Sequence, residues 1–373
     1  MAAKKADPFL AELNLKYGDV LRHRWRLTGT RLGAGVFGSV YEVEDMKEKG
    51  ELAAMKIEKN VDGDQSLLKI EAKALQAVSN IDGMIHYLDG YKKKTFQYIV
   101  ITLCGPDLMR LRAVEGINKF RSKRYKKRYS EETTLRIGIL ALYQIKKLHE
   151  VGYIHRDLKP GNMTVCADNA PIRHIYVIDF GMVRRYVTRQ TDSVIMKLKE
   201  DEDNTNKDYM RPARDGCLLR GTTKYCSIDV QLRKEQGRVD DLWSLLYSLV
   251  EFQTGLPWGT ERNQETILKM KQSTTDEELF KNCPQEYFVI ANHLRTLTYY
   301  DRPKYCEIYK QLNNALIRLG NVTFLDPMDW EDDAEVQEEI VKLMAEKKID
   351  PTTPRNEELC IKLYPCFDPK HFN

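Results

Sequence analysis

From Trp25 to about Leu103 the chain alternates apolar and polar residues in short runs. "SVYEVED" has a period of two, and "LAAMKIEK" and "FQYIVITL" are apolar runs of strand length. Gly and Asp clusters separate them, so the pattern predicts strands. One helix interrupts them, because Leu67, Leu68, Glu71, Ala74, Leu75 and Val78 fall at helical spacings. From Leu108 onward the helical period takes over. Ser130 is a good N-cap, and Glu131 and Glu132 suit the positive end of a helix dipole. Leu135, Ile139, Leu142, Ile145 and His149 then follow one face until Gly152 stops the helix. "DDLWSLLYSLVEF" is apolar almost all round, as a helix at the centre of a large lobe would be. Four segments are expected: an extension over 1–24, a β-rich lobe over 25–104, a larger helical lobe over 105–320, and a second extension over 321–373. The last holds an acidic helix with Ile340, Leu343 and Met344 on one side, which reads as a helix docked on the body.

Composition narrows the partners. A chain of 373 residues that is 42% hydrophobic can bury a sizeable core. A net charge of only +4 demands no nucleic acid, and the apolar stretches are too short and interrupted to cross a bilayer. The opening "MAAKKADPFL" lacks the apolar run of a signal peptide. Eight cysteines without a C-x-x-C pair fit reduced thiols better than a disulfide framework or a zinc site. A monomer in the cytoplasm or nucleus, bound to neither nucleic acid nor membrane, is expected. The basic run "NKFRSKRYKKRYS" over 118–130 reads first as a solvated loop, then as a dock for an acidic substrate, and third as a nuclear-targeting segment.

The chemistry begins at "RLGAGVFGSVYEVED", where Gly33, Gly35 and Gly38 stand in G-x-G-x-x-G spacing. A dinucleotide fold would open a helix after the last glycine, but a strand pattern follows, and Val40 completes the form of a flap over ATP. No Gly-Lys-Ser/Thr of a Walker loop is present. Lys56 ends an apolar strand about twenty residues on, and Glu71 lies on the next helix among apolar neighbours; paired, they would set an ammonium against two phosphates. In "IHRDLKPGN", Asp157 is placed to accept a hydroxyl proton, Lys159 to hold a transferring phosphoryl group, and Asn162 to bind a metal through its amide oxygen. Asp179 in "VIDFG" supplies a second oxygen ligand, a donor set that suits Mg²⁺. Phosphoryl transfer asks the protein for little more than placed charge and a placed hydroxyl.

These motifs, in this order, resemble the protein kinase family over about residues 25–320. The resemblance implies a bilobal α+β fold using ATP and Mg²⁺. Leu32, Gly33, Ala34, Gly35, Val36, Phe37, Gly38 and Val40 would cover the nucleotide, with Ala54, Lys56, Ile101, Thr102 and Leu103 completing its site. Asp157, Lys159, Lys56 and Glu71 would carry catalysis, and Asn162 and Asp179 the metal. His155 and Phe180 would belong to an internal spine, and Asp241 would hold the catalytic loop. "DLKPGN" is similar to the serine/threonine branch. "GTTKYCSID" and "LCGPDL" resemble the casein kinase 1 group, and "GRVDDLWSLLYSLVEFQTGLPW" and "YMRPARDGCLLRGTTKY" look most like its tau-tubulin kinases. That group implies protein substrates that are acidic, already phosphorylated or cytoskeletal.

The sequence departs from the pattern at Asp229, where the group has Asn, and in lacking A-P-E; Arg302 is expected to pair with an acid such as Asp229 instead. The segment from Asp179 to Ser227 is long and carries the acidic "KEDEDNTNKDYM", with Thr188, Thr191, Ser193 and Thr205 as phosphorylation candidates. Arg184, Arg185, Arg214, Arg220 and Lys224 cluster in sequence around the expected substrate cleft. Arg156, Arg184 and Lys224 are the candidate substrate anion site, since guanidinium forks suit phosphate and carboxylate. The alternative is internal pairing with the acidic insertion. A pseudokinase, which keeps the fold without the transfer, is the main rival function, although Lys56, Asp157 and Asp179 all stand.

Overall fold

A computed structural model describes residues 7–35, 38–48, 50–60, 67–113, 128–167, 174–188, 209–320, 322–350, 353, 357–363 and 368–373. Val36, Phe37, Thr191, Ser193, Thr205, the acidic insertion up to residue 208 and the basic run up to residue 127 lie outside the described residues. The chain divides into two compact units, Met1–Gly105 and Pro106–Asn373.

The first unit is an antiparallel sheet with one main helix. Its strands are β1 (Val20–Leu21), β2 (Trp25–Ala34), β3 (Gly38–Asp45), β4 (Leu52–Lys59), β5 (Tyr87–Lys92) and β6 (Phe96–Thr102), in the spatial order β1-β2-β3-β4-β6-β5. The alternation of "SVYEVED" is visible in β3, where Ser39, Tyr41, Val43 and Asp45 are buried and the residues between them are partly exposed. Register sets Val40 opposite both Gly33 and Lys56, and Ala54 opposite Ile101. Helix α2 (Leu67–Val78) has the predicted span and turns Leu68, Glu71, Ala74, Leu75 and Val78 inward. Residues 7–13 pack against the sheet. Asp7 caps a short helix α1 (Pro8–Glu12) by accepting from Phe9 N–H at 2.9 Å, and it also accepts from Tyr41 Oη at 3.0 Å. Leu10 and Leu13 thereby join Tyr41, Met55 and Phe96 in one core. The Asp-Pro start of α1 was the signal for this in the sequence.

The second unit is built on α3 (Glu131–Glu150) and α4 (Arg238–Gln253), both buried over most of their length. Ser130 caps α3 as expected, its hydroxyl accepting from Thr133 N–H at 3.2 Å, and Gly152 follows the helix at φ +85°. Helices α5 (Gln264–Ser273), α6 (Glu286–Arg295), α7 (Tyr305–Arg318) and α8 (Asp333–Glu346) complete the part used below. Helix α8 buries Val336, Ile340, Leu343 and Met344, the side that the pattern picked out. Two small antiparallel pairs carry the loops: β7 (Tyr153–Ile154) with β10 (Arg184–Arg185), and β8 (Met163–Cys166) with β9 (Ile175–Val177). Asp229 pairs with the exposed Lys234 at 2.8 Å and not with Arg302, a correction to the expected pair. Arg302 is buried and lies over the Tyr305 ring at 5.4 Å. Asp229 is exposed on the first turn of a short helix whose Val230 and Gln231 are buried, where a neighbouring lysine reaches it.

The start of α4 has a pH signature. Asp240 accepts from Ser227 Oγ at 2.5 Å and from Gly237 N–H at 2.7 Å. Burial pushes its carboxyl up to about 7, although both hydrogen bonds oppose the rise. The folded protein therefore keeps a proton that the unfolded chain has released, and this contribution is complete below about pH 4 and lost as pH rises through about 7. The melting temperature of the wild type is predicted to fall more steeply from pH 5 to pH 8 than that of Asp240→Asn. Parallel profiles in the two proteins would contradict the assignment.

Candidate functional site

In the first unit the flap glycines join β2 to β3. Gly35 N–H donates to Gly38 C=O at 2.8 Å. Gly38 is required by space: a Cβ there would lie 2.1 Å from Ile57 O on the neighbouring strand. Leu32, Gly33 and Val40 are partly buried, and Ala34 and Gly35 are exposed. Beyond the flap, Lys56 Nζ donates to Glu71 Oε2 at 2.7 Å, with Glu58 a further 3.8 Å contact. Glu71 is buried on the apolar face of α2, so the pair is fixed by the helix and not by chance on a surface. Ile101 and Thr102 end β6, and with Leu103 they are partly buried.

In the second unit the predicted residues converge on Asp157, whose side chain is buried. Its Oδ2 accepts from Lys159 Nζ at 2.7 Å, and its Oδ1 accepts from the N–H and the hydroxyl of Thr222 at 2.8 and 2.7 Å. Lys159 also donates to Thr222 Oγ1 at 3.1 Å. Asn162 donates through Nδ2 to Asp157 O at 2.9 Å, which leaves its amide oxygen without a hydrogen bond among the described residues. That oxygen, and the exposed carboxylate of Asp179 after β9, are hard donors of the type Mg²⁺ takes, so the two residues fit such an ion. Ile178 N–H donates to Asn162 C=O at 3.0 Å and ties their segments together.

A buried acid behind the loop holds this arrangement. Asp241 on α4 accepts from His155 N–H at 2.7 Å, Arg156 N–H at 2.8 Å and His149 Nε2 at 2.9 Å. Tyr305 Oη completes the line at 2.7 Å from His149 Nδ1. With Nε2 donating to the acid and Nδ1 accepting from the phenol, His149 is a neutral imidazole, and burial lowers its pKa accordingly. Burial pushes the Asp241 carboxyl up, but the bond from His149 leads the opposing effects that hold it below the usual range. Two consecutive N–H groups on one carboxylate stabilise Arg156 at φ +71°, an unusual conformation for a residue with a side chain. Asp179 shares that conformation at φ +64°. The His155 ring bonds Ile178 O at 3.0 Å and lies edge-on to Phe180, ring centroids 5.5 Å apart.

The candidate anion site divides. Arg156 donates to Met182 O at 2.6 Å, and its pKa falls to about 10 through burial and then the like charges of Arg184 and Arg220. These three guanidiniums are neighbours. Arg184 and Arg214 share Glu235 at 3.5 and 2.6 Å, which answers the question of internal pairing in part: the acid is Glu235, outside the insertion. Lys224 pairs with Glu251 at 3.1 Å, an acid that Arg112 also contacts. Arg220 is exposed.

Sequence reading missed Thr222, which contacts the central carboxylate more than any other residue does. Its signal was the preceding Gly221, at φ +94° with Arg156 O 2.2 Å from where a Cβ would stand. Only a glycine lets the chain come that close to the loop.

Comparison with known proteins agrees with this geometry. Residues 27–312 match the protein kinase domain family. A protein of Caenorhabditis elegans named as a serine/threonine-protein kinase is 34% identical over 86% of this chain and 86% of its own length. Another, from Dictyostelium discoideum and also named as a serine/threonine-protein kinase, is 30% identical over 84% of this chain and 58% of its own. The C. elegans protein named inactive tau-tubulin kinase ttbk-6 is 32% identical over 65% of this chain and 78% of its own. With a buried carboxylate held by lysine, threonine and asparagine, and with a family match over most of its length, the chain belongs to the protein kinase domain family.

Proposed function

We propose that the chain is an active serine/threonine protein kinase that uses ATP and Mg²⁺, belongs to the casein kinase 1 group and is most similar to the tau-tubulin kinases. The convergence of Lys159, Thr222 and Asn162 on Asp157 carries the reading. The Asp157 carboxylate takes the proton of a substrate Ser or Thr hydroxyl as its oxygen bonds to the γ-phosphorus, and the bond from that phosphorus to the bridging β-oxygen breaks to leave ADP. Thr222 Oγ1 marks where such a hydroxyl can be received, because it already donates to Asp157 Oδ1 at 2.7 Å. Lys159 offsets negative charge on the moving phosphoryl group, and Lys56, oriented by Glu71, holds the phosphates of the nucleotide. The flap residues Leu32, Gly33, Ala34, Gly35 and Val40, together with Ala54 and Ile101 to Leu103, are assigned to ATP. Asn162 and Asp179 would hold the metal ion, which would neutralise phosphate charge.

Motif similarity over "GTTKYCSID" and likeness to the protein named inactive tau-tubulin kinase support the group assignment. The name of that relative favours the second reading, a pseudokinase. Against it stands the complete set of Lys56, Asp157, Asn162 and Asp179. A preference for acidic or phosphorylated substrates is supported by Arg156, whose charge Arg184 and Arg220 disfavour, a repulsion that an incoming oxyanion would relieve. Free thiols at all seven described cysteines support a reducing compartment such as the cytoplasm.

Two measurements test this. With labelled ATP and casein as acceptor, the wild type is predicted to transfer phosphate at least about a hundredfold faster than Asp157→Asn, the scale of a lost general base. Equal signals in the two would favour the pseudokinase. Arg184→Gln combined with Arg220→Gln is predicted to raise KM about tenfold for acidic peptides, the scale of one charge-assisted hydrogen bond, and to leave neutral peptides near the wild-type value. An equal rise for both peptide types would remove the anion role.

A further inference from the structure

Lys271 is an anomaly in the second unit. It lies in α5, a helix rich in polar residues, yet it is only 5% exposed. No carboxylate among the described residues forms an ion pair with it. Its ammonium donates to Thr223 O at 2.8 Å and Cys226 O at 2.5 Å, and it sits over the rings of Tyr247 and Trp258 at 5.3 and 5.4 Å. Trp258 Nε1 donates to the carbonyl between these two, Lys224 O, at 2.8 Å. The opposite end of the same stretch is Thr222, which bonds Asp157. One short segment, 222–226, therefore meets the central carboxylate on one side and is gripped through its backbone on the other.

We infer that Lys271 is a positioning residue for the protein substrate: it fixes the 222–226 segment along which the acceptor peptide lies. An acceptor hydroxyl has to reach Asp157 beside Thr222, so the residues flanking it run past this segment. A carboxylate partner for Lys271 would have neutralised it locally. Two backbone carbonyls and two aromatic faces are what keep a buried ammonium in place instead. Without the lysine Cys226 O loses this donor and Thr223 O keeps only the weak Cys226 thiol, at 3.6 Å, so the segment relaxes towards other partners. A lysine that meets the segment through its backbone also works regardless of the side chains at 223 and 226. The inference rests on the kinase reading for its substrate, and its stereochemistry on the segment itself.

Protonation supports the geometry. Burial lowers the Lys271 pKa to about 8, opposed only by Cys226. The titratable groups facing it are the Cys226 thiol, pushed up to about 11 by burial, and the Tyr247 phenol, also raised by burial. Both are uncharged at neutral pH. Asp240 and Asp157 act on Cys226, and Arg295 and Asp276 act on Tyr247; Lys271 itself answers to its burial and to Cys226. Above pH 8 the amine still donates but loses the charge that strengthens both bonds and the ring contacts.

The test uses the full chain with Lys271→Met and Lys271→Arg, and a fluorescein-labelled serine peptide with acidic flanks. Peptide Kd is read by anisotropy, which needs no turnover, beside KM for peptide and for ATP and the melting temperature. The Met variant is expected to raise peptide Kd and KM about tenfold with the ATP KM within about twofold, and the Arg variant to restore most of the loss. Wild-type peptide Kd is expected to rise as pH passes about 8, with no such limb in the Arg variant, whose guanidinium stays charged. An unchanged peptide Kd in the Met variant would overturn the inference. So would a parallel loss of peptide and ATP affinity with lowered melting temperature that Arg does not rescue. If the wild type transfers no phosphate, the kinase reading fails, while the ratio of peptide Kd values still decides the role of Lys271.

Discussion

The catalytic half of the second unit depends on one carboxylate receiving two consecutive backbone N–H groups. Asp241 takes His155 and Arg156 together and so stabilises Arg156 in the left-handed region. A single bond would fix a distance. Two adjacent bonds fix an orientation, and with it the direction in which Asp157 leaves the chain. Helix α4 supplies the acid from a position buried on nearly all sides, so it cannot swing away. His149 donates a third bond to Asp241 and is itself held by Tyr305 Oη, a neutral chain that keeps Asp241 charged without a competing cation.

From that anchor the other contacts follow as a sequence of constraints. Asp157 is aimed at Thr222 because Gly221 lets the two loops touch. Thr222 begins a segment whose carbonyls Lys271 and Trp258 hold from behind. Asn162 binds the main chain of Asp157 and, through its own carbonyl, the end of β9 just before Asp179. In the first unit the same economy appears on a smaller scale: a strand places Lys56, a helix places Glu71, and burial of the glutamate makes the pair rigid.

Much of this was legible in the sequence because period and spacing record it directly. The α2 span, the Ser130 cap and the inward side of α8 are hydrophobic patterns, and burial follows pattern. The Lys56–Glu71 pair was legible for a different reason: a glutamate set among leucines is costly unless something pairs with it. What escaped was whatever depends on backbone atoms. Lys271 reads as an ordinary helix-surface lysine, since carbonyl partners leave no trace in side-chain identity. The Asp229–Arg302 expectation failed because a missing acid in one place does not say which acid replaces it, and Asp229 is solvated at a surface turn. The anion site was legible as composition only; that Arg184 and Lys224 would meet Glu235 and Glu251 is a matter of tertiary position.

The most direct measurement is a crystal structure of the full chain with Mg²⁺, a non-hydrolysable ATP analogue and an acidic serine peptide. The peptide hydroxyl is predicted within hydrogen-bond distance of Asp157, beside Thr222, with the metal ion on Asn162 and Asp179 and Arg156 still left-handed on Asp241. A peptide hydroxyl bound away from Asp157, or a metal ion coordinated without Asn162 and Asp179, would contradict the claim that these side chains form one phosphoryl-transfer site.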